Sequence, residues 1–297
     1  MQTDEQETRS FGESDHRVFW GEAATVLTEN VDDKSVDLIF ADPPYNIGKQ
    51  FGKFTDKWPS DESYAEWCKT WIDLCIKKLK KNGTMYVMTS TQAMPYIDLH
   101  VRKQLHVISR IVWHYDSSGV QAKSKFGSMY EPLLHCVKNV DEYVFNADQI
   151  RVEARTGAVR KLIDYRKPEP TPYNTTKIPG NVWYFPRVRY RMAEYEEHPS
   201  QKPELLLERI IQASSNPGDV VLDPFSGTFT TSAVAKRLGR KSIGIEREDN
   251  YVKIGLRRLA IQSELDGEAL VPLDKEYKRK NGNGKHNNAA NKSLFEE

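Results

Sequence analysis

The sequence predicts an α/β fold built on a mostly parallel, seven-stranded sheet with helices on both faces. Short apolar runs of strand length recur along the chain with helix-like segments between several of them, the alternation that parallel connections require. Two of those runs, VDLIFA (36–41) and DVVLDP (219–224), reach an aspartate followed at once by proline, which cannot donate to a sheet ladder and so closes the strand. At 297 residues, 38% apolar and 29% charged, the chain can bury a sizeable core as one large domain or as a domain plus a lobe.

The elements follow in order. RVFW (17–20) and VDLIFA (36–41) are the first strands. SDESYAEWCKTWIDLCIKKLKKNG (60–83) is the clearest helix: Ser60 is the N-cap, acids fill the first turn, lysines the last, and Gly83 is the expected stop. Its stripe of Tyr64, Trp67, Trp71, Leu74 and Ile76 or Leu79 is expected to face the sheet. TMYVMT (84–89), ISRIVWHY (108–115) and PLLHCVK (132–138) are the next strands. A second helix, PELLLERIIQAS, places Pro203 in the favoured first position. DVVLDP, a third helix beginning inside TFTTSAVAKRLG and stopping at Gly239, and KSIGIE (241–246) complete the set. Residues 116–200, rich in Pro, Gly, Arg and Tyr, are too long and irregular for a βα connection and read as a lobe or insertion carrying specificity. The tail after Pro272 has too little apolar content to pack and is expected to be flexible.

The net charge of +1 conceals an uneven distribution. Between Arg151 and Arg191 ten Lys/Arg face three acids, interleaved with Tyr165, Tyr173, Trp183, Tyr184, Phe185 and Tyr190. Cations among aromatics suit phosphate neutralisation and base stacking, although a solvated basic surface has the same composition. The polar, acidic N-terminus lacks the features of a signal peptide and the apolar runs are only strand-length, so neither export nor membrane insertion is expected. Cys68, Cys75 and Cys136 are odd in number and lack ligand spacing; they are expected to be reduced and packed, with no disulfide and no metal.

The chemistry-bearing segments are the two strand ends. In DVVLDPFSGTFTTSAVAKRLGRKSIGIE an apolar strand runs into Asp223, a turn containing Gly227 and a helix, and the next strand closes on Glu246. In outline this binds a nucleoside, the turn allowing backbone approach and the second carboxylate accepting ribose hydroxyls. No Lys-Ser/Thr follows the glycine and no GxGxxG is present, so a phosphate-free adenosine fits better than ATP or NAD. At the other strand end, DPPYN, the Asp42 carboxylate and the Pro43 carbonyl can accept both N–H bonds of an exocyclic amine. Pro44 restricts Pro43 to extended geometry and so fixes that carbonyl, and Tyr45 offers a flat face for a base. A lone Asp-Pro-Pro is more often only a turn; the pairing with DPFSG gives it chemical meaning.

DPPY, then HPSQKP, then DPFSG, together with FADPPYNIGK, YDSSGVQAK, GSMYEP, IDYRK, PGNVW, FPRVRY and SSNPGDVVLDPFSG, resembles the DNA amino-methyltransferases of the permuted (beta) class, in which the catalytic half precedes the cofactor half. Within it the sequence is similar to the YhdJ-like group of bacterial adenine N6-methyltransferases, from about Val18 to Leu259. The resemblance implies a Rossmann-like methyltransferase fold with an inserted target-recognition region. It divides the chain into a catalytic half (1–115), a target-recognition region (116–197), a cofactor half (198–265) and a flexible tail (266–297). It implies S-adenosyl-L-methionine as cofactor and double-stranded DNA as partner, methylated at adenine N6 by base flipping in the bacterial cytoplasm, in association with the nucleoid. A second copy of the chain and a cognate restriction endonuclease are further partners it raises. Asp42, Pro43, Pro44 and Tyr45 would be catalytic. Asp223, Phe225, Gly227 and Glu246 would line the cofactor pocket together with His198, Ser200 and Lys202, with Ser200 and Lys202 on the cofactor's carboxylate. Lys123, Arg166, Arg187, Arg189 and Tyr190 would contact DNA. Phe229 stands where many members have a second glycine. Cytosine N4 is the alternative target, which Asp rather than Ser at position 42 disfavours; a DNA-binding module without catalysis would leave both strand ends idle.

Overall fold

The protein is described by a computed structural model covering residues 8–12, 15–116, 123–124, 126–154, 162–166 and 168–261, with the backbone of 263–265 and 268–270. VDLIFA forms β3 (Val36–Ala41), buried along nearly its whole length as a central parallel strand must be. Its alternate residues serve opposite faces: Ile39 and Ala41 join Val26, Leu27, Trp71 and Ile72, while Leu38 and Phe40 join Trp113, Leu206, Leu207 and Ile210.

All seven expected strands lie in one sheet, but among the described residues that sheet has nine. Besides β3 they are β1 (Arg9–Phe11), β2 (His16–Trp20), β4 (Leu79–Met88), β5 (His106–His114), β6 (Tyr130–Val137), β7 (Val182–Tyr184), β8 (Val220–Asp223) and β9 (Lys241–Glu246), in the order β1-β2-β9-β8-β3-β4-β6-β5-β7. The expected count of seven is thus corrected by β1, antiparallel on β2, and β7, parallel on β5. Both have three residues, too few for a periodic signal. β6 runs antiparallel between β4 and β5, whereas β2–β9, β9–β8, β8–β3 and β3–β4 are parallel. β6 and β7, both within residues 116–200, belong to the main sheet. The irregular stretch between them carries two-residue ribbons, such as Val152–Glu153 with Thr176–Lys177. Of the tail, only Glu268–Leu270, paired with Ser263–Leu265, falls within the described residues.

The helices are α1 (Ala23–Glu29), α2 (Asp61–Lys78), α3 (Met94–Val101), α4 (Glu204–Ser214), α5 (Thr230–Arg237) and α6 (Asp249–Leu259). Ser60 caps α2 as expected, its hydroxyl accepting from the Ser63 N–H at 3.2 Å while Ser63 Oγ accepts from the Ser60 N–H. α2 ends at Lys78, not Gly83, because Leu79 already pairs with Val36 in the sheet. Gly83 is needed for a close approach instead: a Cβ there would stand 2.6 Å from Leu79 Cδ2. The buried stripe is Tyr64, Cys68, Trp71, Ile72 and Cys75, with Trp67 and Leu74 at its margin. Pro203 is the N-cap residue of α4 rather than its first helical residue. The three cysteines are buried and unpaired, and burial pushes the Cys68 and Cys136 thiols up to about 12.

Phe229 precedes α5 in the left-handed region at φ +57° and is fully buried with Val18, Val252, Leu256 and Leu259. Two glycines make room for its ring: a Cβ on Gly244 would lie 2.5 Å from Phe229 Cε1, and one on Gly255 would overlap the ring. The phenylalanine in place of a second glycine is therefore a core residue. Gly255→Ala is expected to lower unfolding free energy by about 1–3 kcal/mol through overpacking, read from denaturant melts. An unchanged midpoint would show that the ring does not depend on that space.

Candidate active site

Strand register decides what meets at the site. β3 and β8 are parallel neighbours, with Val221 opposite Leu38 and Leu222 opposite Ile39, so Asp42 and Asp223 leave the sheet at the same carboxyl edge. β9 flanks β8, with Asp223 opposite Gly244, and delivers Glu246 to that edge. Ligands of open α/β sheets gather there. A cavity of about 560 Å³ opens at this edge, lined by Asp42, Pro43, Tyr45, Lys202, Asp223, Gly227 and Glu246 among others. Its size suits a small-molecule ligand.

Asp42 sits in a tight polar cluster. The Lys202 ammonium lies 2.6 Å from its Oδ2 and the Tyr45 hydroxyl donates to its Oδ1 at 2.6 Å. The same hydroxyl is 2.9 Å from Glu131 Oε2, Lys202 is 3.5 Å from that oxygen, and the Tyr115 hydroxyl donates to Glu131 Oε1 at 3.3 Å. Burial raises the Asp42 pKa, the Lys202 charge opposes that rise and the Glu131 charge adds to it. For Lys202 burial works against the charge, but Asp42 and Glu131 outweigh it and the ammonium is held protonated. The Pro44 carbonyl is taken by the Tyr64 hydroxyl at 2.6 Å, whereas among the described residues no donor reaches the carbonyl of Pro43. The loop beyond is pinned by Asp56, buried, whose carboxylate accepts the Tyr45 and Lys49 N–H groups.

The second half of the site is built around the turn after β8. Asp223 is buried and accepts from the Thr231 hydroxyl at 2.5 Å and the Phe225 N–H at 3.0 Å; burial pushes its pKa up to about 7. Phe225 packs on Trp67 and Trp71, tying the turn to α2. Gly227 has φ +49°, and a Cβ there would come 3.0 Å from His198 Nε2, so the turn needs glycine for both reasons. Glu246 accepts the Gly227, Arg247 and Glu248 N–H groups, each at 2.8 Å, and burial still pushes its pKa up to about 7. His198 packs edge-on against Tyr251 and beside Phe51; burial and then the Lys202 and Lys49 charges pull its pKa to about 3, leaving it neutral. Ser200 is half-buried on the cavity wall and its carbonyl faces the Lys202 ammonium at 3.4 Å. Lys202 therefore stands with the Asp42 cluster, not with the turn.

The residues fit an adenosine-bearing sulfonium. A glycine turn permits backbone approach, a carboxylate has three N–H partners and one lone pair to spare, and aromatic rings form walls. Of the residues expected at DNA, Arg187 lines this cavity with its guanidinium 5.1 Å from the Tyr115 ring centre. Arg189 and Tyr190 follow on the same exposed segment, Arg189 donating to the Asp116 carbonyl. Arg166 is engaged bidentately by Asp164, and Lys123 is exposed. Sequence reasoning missed Glu131 and Asp56 as site residues. It also missed Arg258, which donates to the Thr228 carbonyl and to Glu204 and so braces the turn from α6.

One cavity at the carboxyl edge of the sheet thus joins the Asp-Pro-Pro-Tyr strand end to the glycine turn after β8, the arrangement expected of an amino-methyltransferase. The comparisons agree: the DNA methylase family model, N6_N4_Mtase, matches residues 36–257. DNA adenine methyltransferase YhdJ of Escherichia coli (strain K12) is 56% identical over 283 residues, 95% of this chain and 94% of the relative. Type II methyltransferase M.HpaI of Haemophilus parainfluenzae is 34% identical over 267 residues, 89% of this chain and 79% of the relative. The crystal structure of the M1.HpyAVI-SAM complex shares the fold at TM-score 0.57 and 24% identity, covering 82% of this chain and 98% of that one. The chain belongs to the DNA methylase family.

Proposed function

We propose that the protein transfers the methyl group of S-adenosyl-L-methionine to N6 of adenine in double-stranded DNA. The observation that carries this reading is the Asp42 carboxylate beside the Pro43 carbonyl, which no donor among the described residues reaches, on the rim of a cavity that also contains Asp223, Gly227 and Glu246. The 56% identity to a DNA adenine methyltransferase supports the choice of base. When bound, the cofactor supplies an electrophilic methyl carbon on a positively charged sulfur.

An exocyclic amine is a poor nucleophile because its lone pair is delocalised into the ring. Asp42 and Pro43, accepting its two N–H bonds, localise that pair toward the methyl carbon. The nitrogen would bond to that carbon as the carbon–sulfur bond gave its electron pair to sulfur, and Asp42 would take up the proton that the nitrogen loses. The work is chiefly positioning and fixed charge. Glu246 would accept a ribose hydroxyl with its one remaining lone pair, on Oε2, and Ser200 and His198 close the wall beyond Gly227. The target base rotates out of the duplex to reach Asp42, and residues 116–197, with Arg187, Arg189 and Tyr190 foremost, contact phosphates and bases. No helix among the described residues is long and apolar enough to cross a membrane. The reading extends to cytoplasmic action on the bacterial nucleoid, with a second copy of the chain and a cognate restriction endonuclease as further partners.

The test is to incubate purified protein with DNA and isotopically labelled S-adenosylmethionine, hydrolyse the DNA and identify the labelled nucleoside. N6-methyladenine is the expected product; N4-methylcytosine without N6-methyladenine would overturn the choice of base.

A further inference from the structure

Glu131 belongs to none of the strand-end motifs, yet it is placed against three members of the Asp42 cluster. It projects from β6, where it pairs in register with Trp113, and only 15% of its side chain is exposed. The Tyr45 hydroxyl has one proton and two carboxylate oxygens within reach, Asp42 Oδ1 at 2.6 Å and Glu131 Oε2 at 2.9 Å. Lys202 likewise spans both acids, at 2.6 Å and 3.5 Å. The Tyr45 proton and the Lys202 charge are therefore shared between two buried carboxylates.

We propose that Glu131 is a positioning residue for methyl transfer: through Tyr45 and Lys202 it fixes the orientation and the charge state of Asp42. The proposal rests on the adenine-methyltransferase reading. As an anion Asp42 is the stronger acceptor for an N–H of the target amine and can take up the proton the amine loses, and its surroundings pull in opposite directions. Lys202, from the segment before α4, and the Tyr45 hydroxyl favour the anion; Glu131 and burial oppose it. Tyr64 from α2 and Lys49 from the following loop complete the groups near it, with Asp223 on the adjacent strand. Glu131 is steadied from its far side by Tyr115, over whose ring Arg187 lies. An anion held by too many donors would offer the amine little; a second carboxylate competing for Tyr45 and Lys202 keeps Asp42 available as an acceptor while they hold its plane.

The experiment is the pH dependence of single-turnover methyl transfer at saturating cofactor and DNA. Glu131→Gln removes a like charge, so Asp42 ionises more readily and the acid limb should move to lower pH by about one unit. Tyr45→Phe keeps the ring but removes a donor to the anion, so the limb should move to higher pH. Shifts of opposite sign support the proposal. An unmoved acid limb in Glu131→Gln, even with a lower rate or a lower melting temperature, would assign Glu131 to fold maintenance and overturn it. If Glu131→Gln does not fold, Tyr115→Phe, which frees one Glu131 oxygen, carries the same test: an unmoved limb overturns the proposal and a displaced one supports it. Failure of the underlying reading looks different: Asp42→Asn would then methylate like wild type.

Discussion

Asp42→Asn is expected to lower the single-turnover rate of methyl transfer by about 10³-fold or more while leaving cofactor and DNA binding within a few-fold of wild type. Removing one preorganised charge-stabilising contact from an active site costs about 10²–10³, and Asn removes an anion and presents N–H donors to an amine that needs acceptors. The substitution preserves shape, and the Lys202 ammonium keeps Glu131 as a counter-ion at 3.5 Å, so the loss should appear in the chemical step and not in folding. Equal losses in rate and in melting temperature would mean that Asp42 maintains the fold instead.

Lys202→Met is expected to damage both stability and activity. The ammonium is 8% exposed and bridges two carboxylates that are 14% and 15% exposed. Breaking a buried pair by removing one partner costs about 3–5 kcal/mol because the remaining charge is stranded. The sign of the pH dependence follows. Without Lys202 the folded-state pKa of Asp42, already raised by burial, rises further above its unfolded value, so the penalty is present at high pH and is relieved as pH falls through the raised value. Denaturant melts should therefore show a larger wild-type-minus-variant difference at pH 8 than at pH 5. A difference independent of pH would mean that lost packing, not stranded charge, is responsible. Activity should fall with Asp42 protonated at working pH.

The strands and the two strand-end motifs were legible because the information is local. A run such as VDLIFA, apolar but for Asp37, reads as a buried strand, and a proline after it can only end the ladder. The short edge strands β1 and β7 carry three residues each and leave no period to read. α1 and α6 open without a side-chain cap hydrogen bond, which removes the usual start signal. Gly83 was misread as a helix stop because the glycine that a close approach demands is indistinguishable in sequence from one that a cap demands. Glu131 was not legible as a site residue because its meeting with Tyr45, 86 residues away, exists only once β6 has been inserted antiparallel into the sheet. Lys202 was legible through the family resemblance, but the contact that defines it here, on Asp42, is set by the crossing of the segment before α4 over the carboxyl edge, which no spacing encodes. Phe229 shows the reverse: a departure from the family pattern whose compensation, Gly244 and Gly255, is distributed over two other elements.

The account's central claim is that Asp42 and Pro43 hold the target amine. A crystal structure of the protein with a short methylatable duplex and a non-transferable analogue of S-adenosylmethionine tests it most directly. The account predicts an extrahelical adenine whose N6 lies within hydrogen-bonding distance of both the Asp42 carboxylate and the Pro43 carbonyl, with the analogue reaching Gly227 and Glu246. An adenine whose amine is held by other groups, with Asp42 still closed on Tyr45 and Lys202 alone, would contradict it.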